Sequence, residues 1–198
     1  MTRTVELASI ARLAQACRAC PLWRDTTQAV FGEGPAEAAL MLVGEQPGDQ
    51  EDLAGRPFVG PAGRLLDQAM AELGWPREAV YVTNAVKHFK HELRGKRRLH
   101  KTPGQREIEA CRPWLVQELA LVRPRAAVAL GGTALQALMG RKLPVLANRG
   151  QWLQRADDGL PVLVTLHPSA LLRMPPEQRD AAYTQWLADL AQASGHLA

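Results

Sequence analysis

The sequence predicts an α/β protein: one three-layer α/β/α domain over residues 1–198, built on a central, mainly parallel four-stranded sheet. Three observations predict it. Four short apolar runs stand about forty residues apart, helical periodicity fills the intervals between them, and each chemically unusual segment begins where an apolar run ends. The length of 198 residues, with 46% apolar and 22% charged positions, suits a single soluble domain.

The runs are AALMLV ending at Val43, AVYVTN ending at Asn84, AAVAL ending at Leu130 and PVLVTL ending at Leu166. Continuous apolar character, without alternation, is what a strand buried on both faces shows. Between the first two, Ala62, Leu65, Leu66, Ala69, Met70 and Leu73 recur at steps of three and four, so the spacing predicts a helix opened by Pro61 and closed by Gly74. A second helix is expected from about Gln105 to Val122, with a bend at Pro113, whose ring removes a backbone donor. A shorter helix follows from Gly131 to Met139, and Tyr183, Trp186, Leu187 and Leu190 give the last helix its buried face. In a doubly wound sheet, ligands sit beyond the carboxyl ends of the strands.

The first segment at such a position is GEQPGDQEDLAGRPFVGPAG, Gly44 to Gly63, with five glycines, three prolines and four acids. It reads as a site, in which Gly44 allows close approach, Phe58 offers a flat apolar face, and Glu45, Asp49, Glu51 and Asp52 provide proton acceptors or a negative field. The competing reading is a solvated acidic turn. It is not a phosphate-binding loop, because no Lys follows the glycines in the required frame. Asn84 ends the second run, and His167 with Ser169 follows the fourth. An amide suits the edge of a nucleobase and an imidazole can stabilise a leaving oxygen, although each residue taken singly is also an ordinary turn former.

Charge is concentrated. Seven Lys or Arg and the single acid Glu92 lie between Lys87 and Lys101, which puts +6 there out of a net +4 and leaves −2 for the rest of the chain. The run Arg94 to Lys101 reads as a polyanion contact, or as a solvated loop. His100 within it is flanked by cations, which favours the neutral, nucleophilic imidazole unless a carboxylate offsets them. Cys17 and Cys20 form a C-x-x-C, and Cys111 is the remaining thiol; three thiolates leave a four-ligand site one short, and His88 is a reasonable fourth ligand. The spacing fits zinc, an iron–sulfur cluster, redox use or simple packing equally. No apolar run approaches the roughly eighteen residues of a membrane span, and the amino end lacks a signal-peptide core, so a cytoplasmic monomer with no membrane partner is expected.

Taken together, Gly44 to Gly48, Phe58 in PFVG, Asn84, and His167 to Ser169 resemble the motifs of the uracil-DNA glycosylase superfamily, in its iron–sulfur family 4 branch; the likeness runs from Cys17 to about Arg173. Three departures resemble the UdgX-like subgroup: Gln46 in place of Gly, the insertion KRRLH (Lys96 to His100), and His88 where family 4 has a cysteine ligand. The resemblance implies a 4Fe-4S cluster on Cys17, Cys20, His88 and Cys111. It also implies a uracil pocket of Gly44, Gln46, Phe58 and Asn84, and catalysis by Glu45, His167 and His100 with Asp49 or Asp52 adding negative charge. Leu171 or Leu172 would wedge into DNA, while Ser169, Arg173, Lys96, Arg97 and Arg98 meet the phosphate backbone. The implied partner is uracil-containing DNA, single-stranded or double-stranded, and the implied outcome is uracil excision with His100 left joined to C1′. A conventional turnover glycosylase, a DNA-binding module without chemistry and a zinc-stabilised structural protein are the rival expectations.

Overall fold

A computed structural model describes residues 2–197. In chain order the elements are α1 (Arg3–Ala14), β1 (Leu40–Gly44), α2 (Asp49–Ala54), α3 (Pro61–Glu72), β2 (Val80–Asn84), β3 (His91–Arg94), β4 (Arg97–His100), α4 (Gln105–Val122), β5 (Ala126–Leu130), α5 (Gly132–Met139), α6 (Val145–Asn148), β6 (Trp152–Gln154), β7 (Pro161–Thr165), α7 (Pro168–Leu172) and α8 (Pro176–Ala191). The sheet order is β2-β1-β5-β7-β6, with the first four strands parallel.

Alternate residues of each parallel strand feed opposite layers, which is why the runs are apolar throughout. Met41 and Val43 pack with Leu7 of α1, Leu115 of α4 and Leu135 of α5. Leu40 and Leu42 pack with Leu66 and Met70 of α3, Leu171 of α7 and Trp186 of α8. The three-layer α/β/α class stands, with one correction: the sheet has five strands. The fifth, β6, is a three-residue antiparallel edge strand paired to β7, half-exposed and preceding the polar ADDG turn, so it has no apolar run to announce it.

Two further differences matter. The basic segment is an antiparallel hairpin, β3 to β4, pairing Arg94 with Arg97 across Gly95, whose φ of 60° fits a tight two-residue turn. Charged residues stand on both faces of a ribbon that lies off the sheet, so no apolar alternation marks it as strand. Helix α4 runs from Gln105 to Val122 with Pro113 inside it. No described helix is long and apolar enough to cross a membrane.

Candidate active site

At the carboxyl ends of the parallel strands lies a cavity of about 710 Å³ lined by Glu45, Gln46, Asn84, Gly131 and His167, among others. Gly44 and Asn84 are register partners at the ends of β1 and β2. A Cβ on Gly44 would collide with Asn84 Oδ1 and Phe58 Cζ, so only glycine lets the amide and the ring meet. Phe58 has φ of 56°, a left-handed conformation that costs a non-glycine residue about 1 kcal/mol or more. Gly63 makes room for it, since a Cβ there would strike the Phe58 backbone. The ring is thereby held in stacked contact with His167, centroids 6.2 Å apart at 28°.

Beneath Asn84 is a network that the sequence did not reveal. Lys87 Nζ donates to the Asn84 carbonyl (2.7 Å), Thr83 Oγ1 (2.7 Å) and Glu118 Oε2 (2.5 Å). Glu118 also accepts from Gly32 N (2.9 Å), Tyr81 Oη (3.0 Å) and Thr83 Oγ1 (2.9 Å). Both charged side chains are sealed, Lys87 at 1% and Glu118 at 0% exposure. Burial, with the Glu118 carboxylate, pushes the Tyr81 phenol far up, so it stays a donor. Lys87 therefore does not belong to the accessible basic surface. Lys90, Arg98 and Lys101 are also paired, with Glu107, Asp49 and Asp52, and Glu92. Among the described residues, Arg94, Lys96 and Arg97 are the cations of this stretch outside any ion pair, and all three are exposed.

His167 caps α7: its Nδ1 accepts from Ser169 N (3.2 Å) and meets Ser169 Oγ at 2.8 Å. Burial drives its pKa down to about 4, against the pull of the Glu45 carboxylate. A neutral imidazole whose Nδ1 is an acceptor carries its proton on Nε2, leaving that N–H as a donor. Arg173 Nη1 reaches Ser169 Oγ at 3.1 Å, and Leu172, Ser169 and Arg173 line the cavity mouth. Leu171 does not: it is fully buried in the core, so of the two proposed wedges Leu172 is the one at the mouth.

The opposite rim is the β3–β4 hairpin. His100 Nε2 lies 3.0 Å from Glu45 Oε1, and Thr133 Oγ1 donates to Glu45 Oε2 at 2.7 Å. Burial works to raise the Glu45 pKa, but the bonds from His100 and Thr133 outweigh it and hold the carboxyl below its ordinary value. Gln46 lines the cavity but its amide is tied to the hairpin base. Nε2 donates to the Lys90 and Lys101 carbonyls (3.0 and 3.1 Å), and Oε1 accepts from Lys90 N (3.0 Å). Arg98, expected on phosphates, instead bonds Asp49 Oδ1 and Asp52 Oδ2, each at 2.5 Å. Asp52, expected to add catalytic charge, is fully buried and outside the cavity lining, where Thr27 N also donates to it at 3.0 Å. Phe89, also unforeseen, is buried beneath the hairpin against His91 and His100, with ring centroids 4.9 and 6.3 Å away.

The third grouping is that of Cys17, Cys20, His88 and Cys111. Trp114 Nε1 donates to Cys17 Sγ at 3.3 Å and Lys87 N to Cys111 Sγ at 3.2 Å, and N–H bonds of this kind support ligating sulfur. Burial raises the Cys111 thiol to about 11. Burial lowers the pKa of His88, favouring the neutral imidazole that a ligand requires. The donor chemistry therefore fits a cysteine and histidine cluster site. Among the described residues, no three His, Cys, Asp or Glu side chains converge as they would around a single metal ion.

Fold and site define an α/β enzyme that binds at the strand ends, with an amide, an imidazole donor and a half-buried carboxylate facing one cavity lined also by Arg173. Residues 31–191 match the model of the uracil DNA glycosylase superfamily, and the chain belongs to that family. It is similar to the type-4 uracil-DNA glycosylase of Pyrobaculum aerophilum, 40% identical over 177 residues, covering 86% of this chain and 87% of the relative. A type-4 enzyme of Thermotoga maritima is 38% identical, with 87% and 86% covered, and one of Archaeoglobus fulgidus 35%, with 85% and 84% covered.

Proposed function

We propose that this protein is a uracil-DNA glycosylase whose reaction ends with His100 covalently joined to DNA. The observation that carries this reading is the His100–Glu45 contact at 3.0 Å, made inside the cavity that also holds Phe58, Asn84 and His167. The type-4 relatives support uracil in DNA as the substrate.

A uracil nucleotide leaves the stack at a cost of a few kcal/mol and enters the cavity. Phe58 stacks on the base, the Asn84 amide pairs with its edge, and Leu172 occupies the gap in the DNA. As the glycosidic bond breaks, its electron pair goes to uracil N1, and the His167 Nε2–H stabilises the negative charge that appears on the uracil oxygen. The oxocarbenium-like sugar is favoured by the Glu45 carboxylate. Nε2 of His100 donates to Glu45, so the other ring nitrogen holds the lone pair; it bonds C1′, and the Nε2 proton passes to Glu45. Water is kept from C1′ by the imidazole itself, and each molecule acts once. Arg173, Lys96 and Arg97 meet phosphates.

Cys17, Cys20, His88 and Cys111 would hold a 4Fe-4S cluster, which would supply structural anchorage between the end of α1, the exit of β2 and α4. A brown preparation absorbing at about 400 nm is the expected sign.

The test is a denaturing gel after incubation with a single-stranded oligonucleotide carrying one uracil. A protein band shifted by the mass of the oligonucleotide supports the covalent reading. Free DNA with an alkali-labile site favours ordinary turnover, and intact uracil overturns both.

A further inference from the structure

We propose that Thr133 is a positioning residue for this reaction: it anchors one oxygen of Glu45 so that the other holds the His100 imidazole in its nucleophilic tautomer. The proposal rests on the covalent reading above.

Glu45 leaves β1 on a side chain with three rotatable bonds, and a carboxylate so hung swings freely unless both ends are held. Here each oxygen has one partner from a different element. Oε1 faces His100 Nε2 of β4 at 3.0 Å, and Oε2 accepts from Thr133 Oγ1 of α5 at 2.7 Å. Thr133 is the second residue of α5 and only 6% exposed, and its branched β-carbon restricts χ1, so the direction of its hydroxyl is set by the helix. The helix starts directly after β5, the strand beside β1, which fixes the hydroxyl relative to Glu45 through the sheet. Without that bond the carboxylate can rotate, and neither ring nitrogen of His100 is committed to donate. The other charged or titratable groups of the cavity are His167 and Arg173 around α7 and Asp49 and Glu51 on α2. Asp49 pairs with Arg98, Glu51 accepts from Gly48 N and Gly60 N, and His167 makes no hydrogen bond to Glu45 among the described residues, so Thr133 is the hydroxyl that holds Glu45.

Loss of the hydroxyl also removes one of the bonds holding the Glu45 pKa down, so Glu45 protonates at higher pH and the acid limb of the reaction moves up. The experiment compares the full-length protein with Thr133→Val and Thr133→Ser under single-turnover conditions. It uses a single-stranded uracil oligonucleotide and follows uracil release and adduct formation across pH. Thr133→Val should lower the saturating rate of adduct formation about tenfold, with oligonucleotide affinity unchanged and the acid limb at higher pH, and Thr133→Ser should restore both. A wild-type rate and acid limb in Thr133→Val, equal damage in Val and Ser, or a loss confined to affinity overturns the proposal. If Thr133→Val shows no cooperative melt, Thr133→Ala takes its place in the same comparison. If the wild-type protein releases uracil but forms no adduct, the covalent reading falls. Thr133 is then judged by the acid limb of uracil release, which Val should raise and Ser restore.

Discussion

The inner half of the cavity and the hairpin on its rim hold their functional groups by different means. Asn84, Glu45 and His167 sit at the ends of parallel strands or one or two residues beyond, where the sheet hydrogen bonds fix the backbone and neighbouring groups reinforce it: Lys87, paired with Glu118, bonds the Asn84 carbonyl, and Ser169 holds the His167 ring. His100 sits instead at the end of a two-stranded ribbon with no place in the sheet. It is held by Gln46 at the ribbon base, by the Arg98 pairs with Asp49 and Asp52, and by Phe89 underneath. On the proposed reading, base recognition is built into the fold and the nucleophile is mounted on an appendage, so the two functions should come apart under substitution.

The largest separation is expected from His100→Ser, which should abolish the heat- and detergent-resistant adduct while uracil release continues; persistent cross-linking would move the nucleophile elsewhere. On the inner side, Glu118→Ala leaves Lys87 buried and unpaired, so it should cost about 3–5 kcal/mol in a urea melt and reduce uracil release along with stability. His167→Ala should slow uracil release by about a hundredfold, the scale of losing one donor to a developing oxyanion, with the melting temperature little changed.

His167 also gives the inner half a pH signature. Its folded pKa of about 4 lies below the ordinary 6.5, so between these values the unfolded chain binds the extra proton and stability falls as pH drops. Replacing His167 by Gln should flatten that part of the stability curve, as read from urea midpoints. The hairpin should respond more mildly. Arg98→Ala frees one face of the ribbon and should slow adduct formation several-fold with uracil release intact. Lys96→Ala should only lower the salt dependence of DNA binding, by about one unit of slope.

The periodicity of the chain carried much of this. The four parallel strands, helix α3 and the position of every strand-end motif were legible, because a strand buried on both faces must be apolar throughout and a helix packed on a sheet must repeat at three and four. Strand β6 was not, since an edge strand is wetted on one side and need not be apolar. The basic stretch was visible as charge, but a sequence count cannot separate Lys87, sealed in the core, from Arg97, open to solvent. Leu171 and Leu172 read alike, yet one faces the core and the other the cavity, a difference set by the direction in which α7 leaves its cap at His167.

By itself, then, the sequence determined the α/β class, the family resemblance and the identity of the groups offered for chemistry, because those depend on local pattern and residue type. Tertiary structure alone decided which charges pair, that Thr133 and His100 flank one carboxylate, and that Gln46 ties the hairpin to β1. The Glu45 and Gln46 contacts join residues 44 to 88 positions apart, and no local propensity encodes which side chains meet across such a distance.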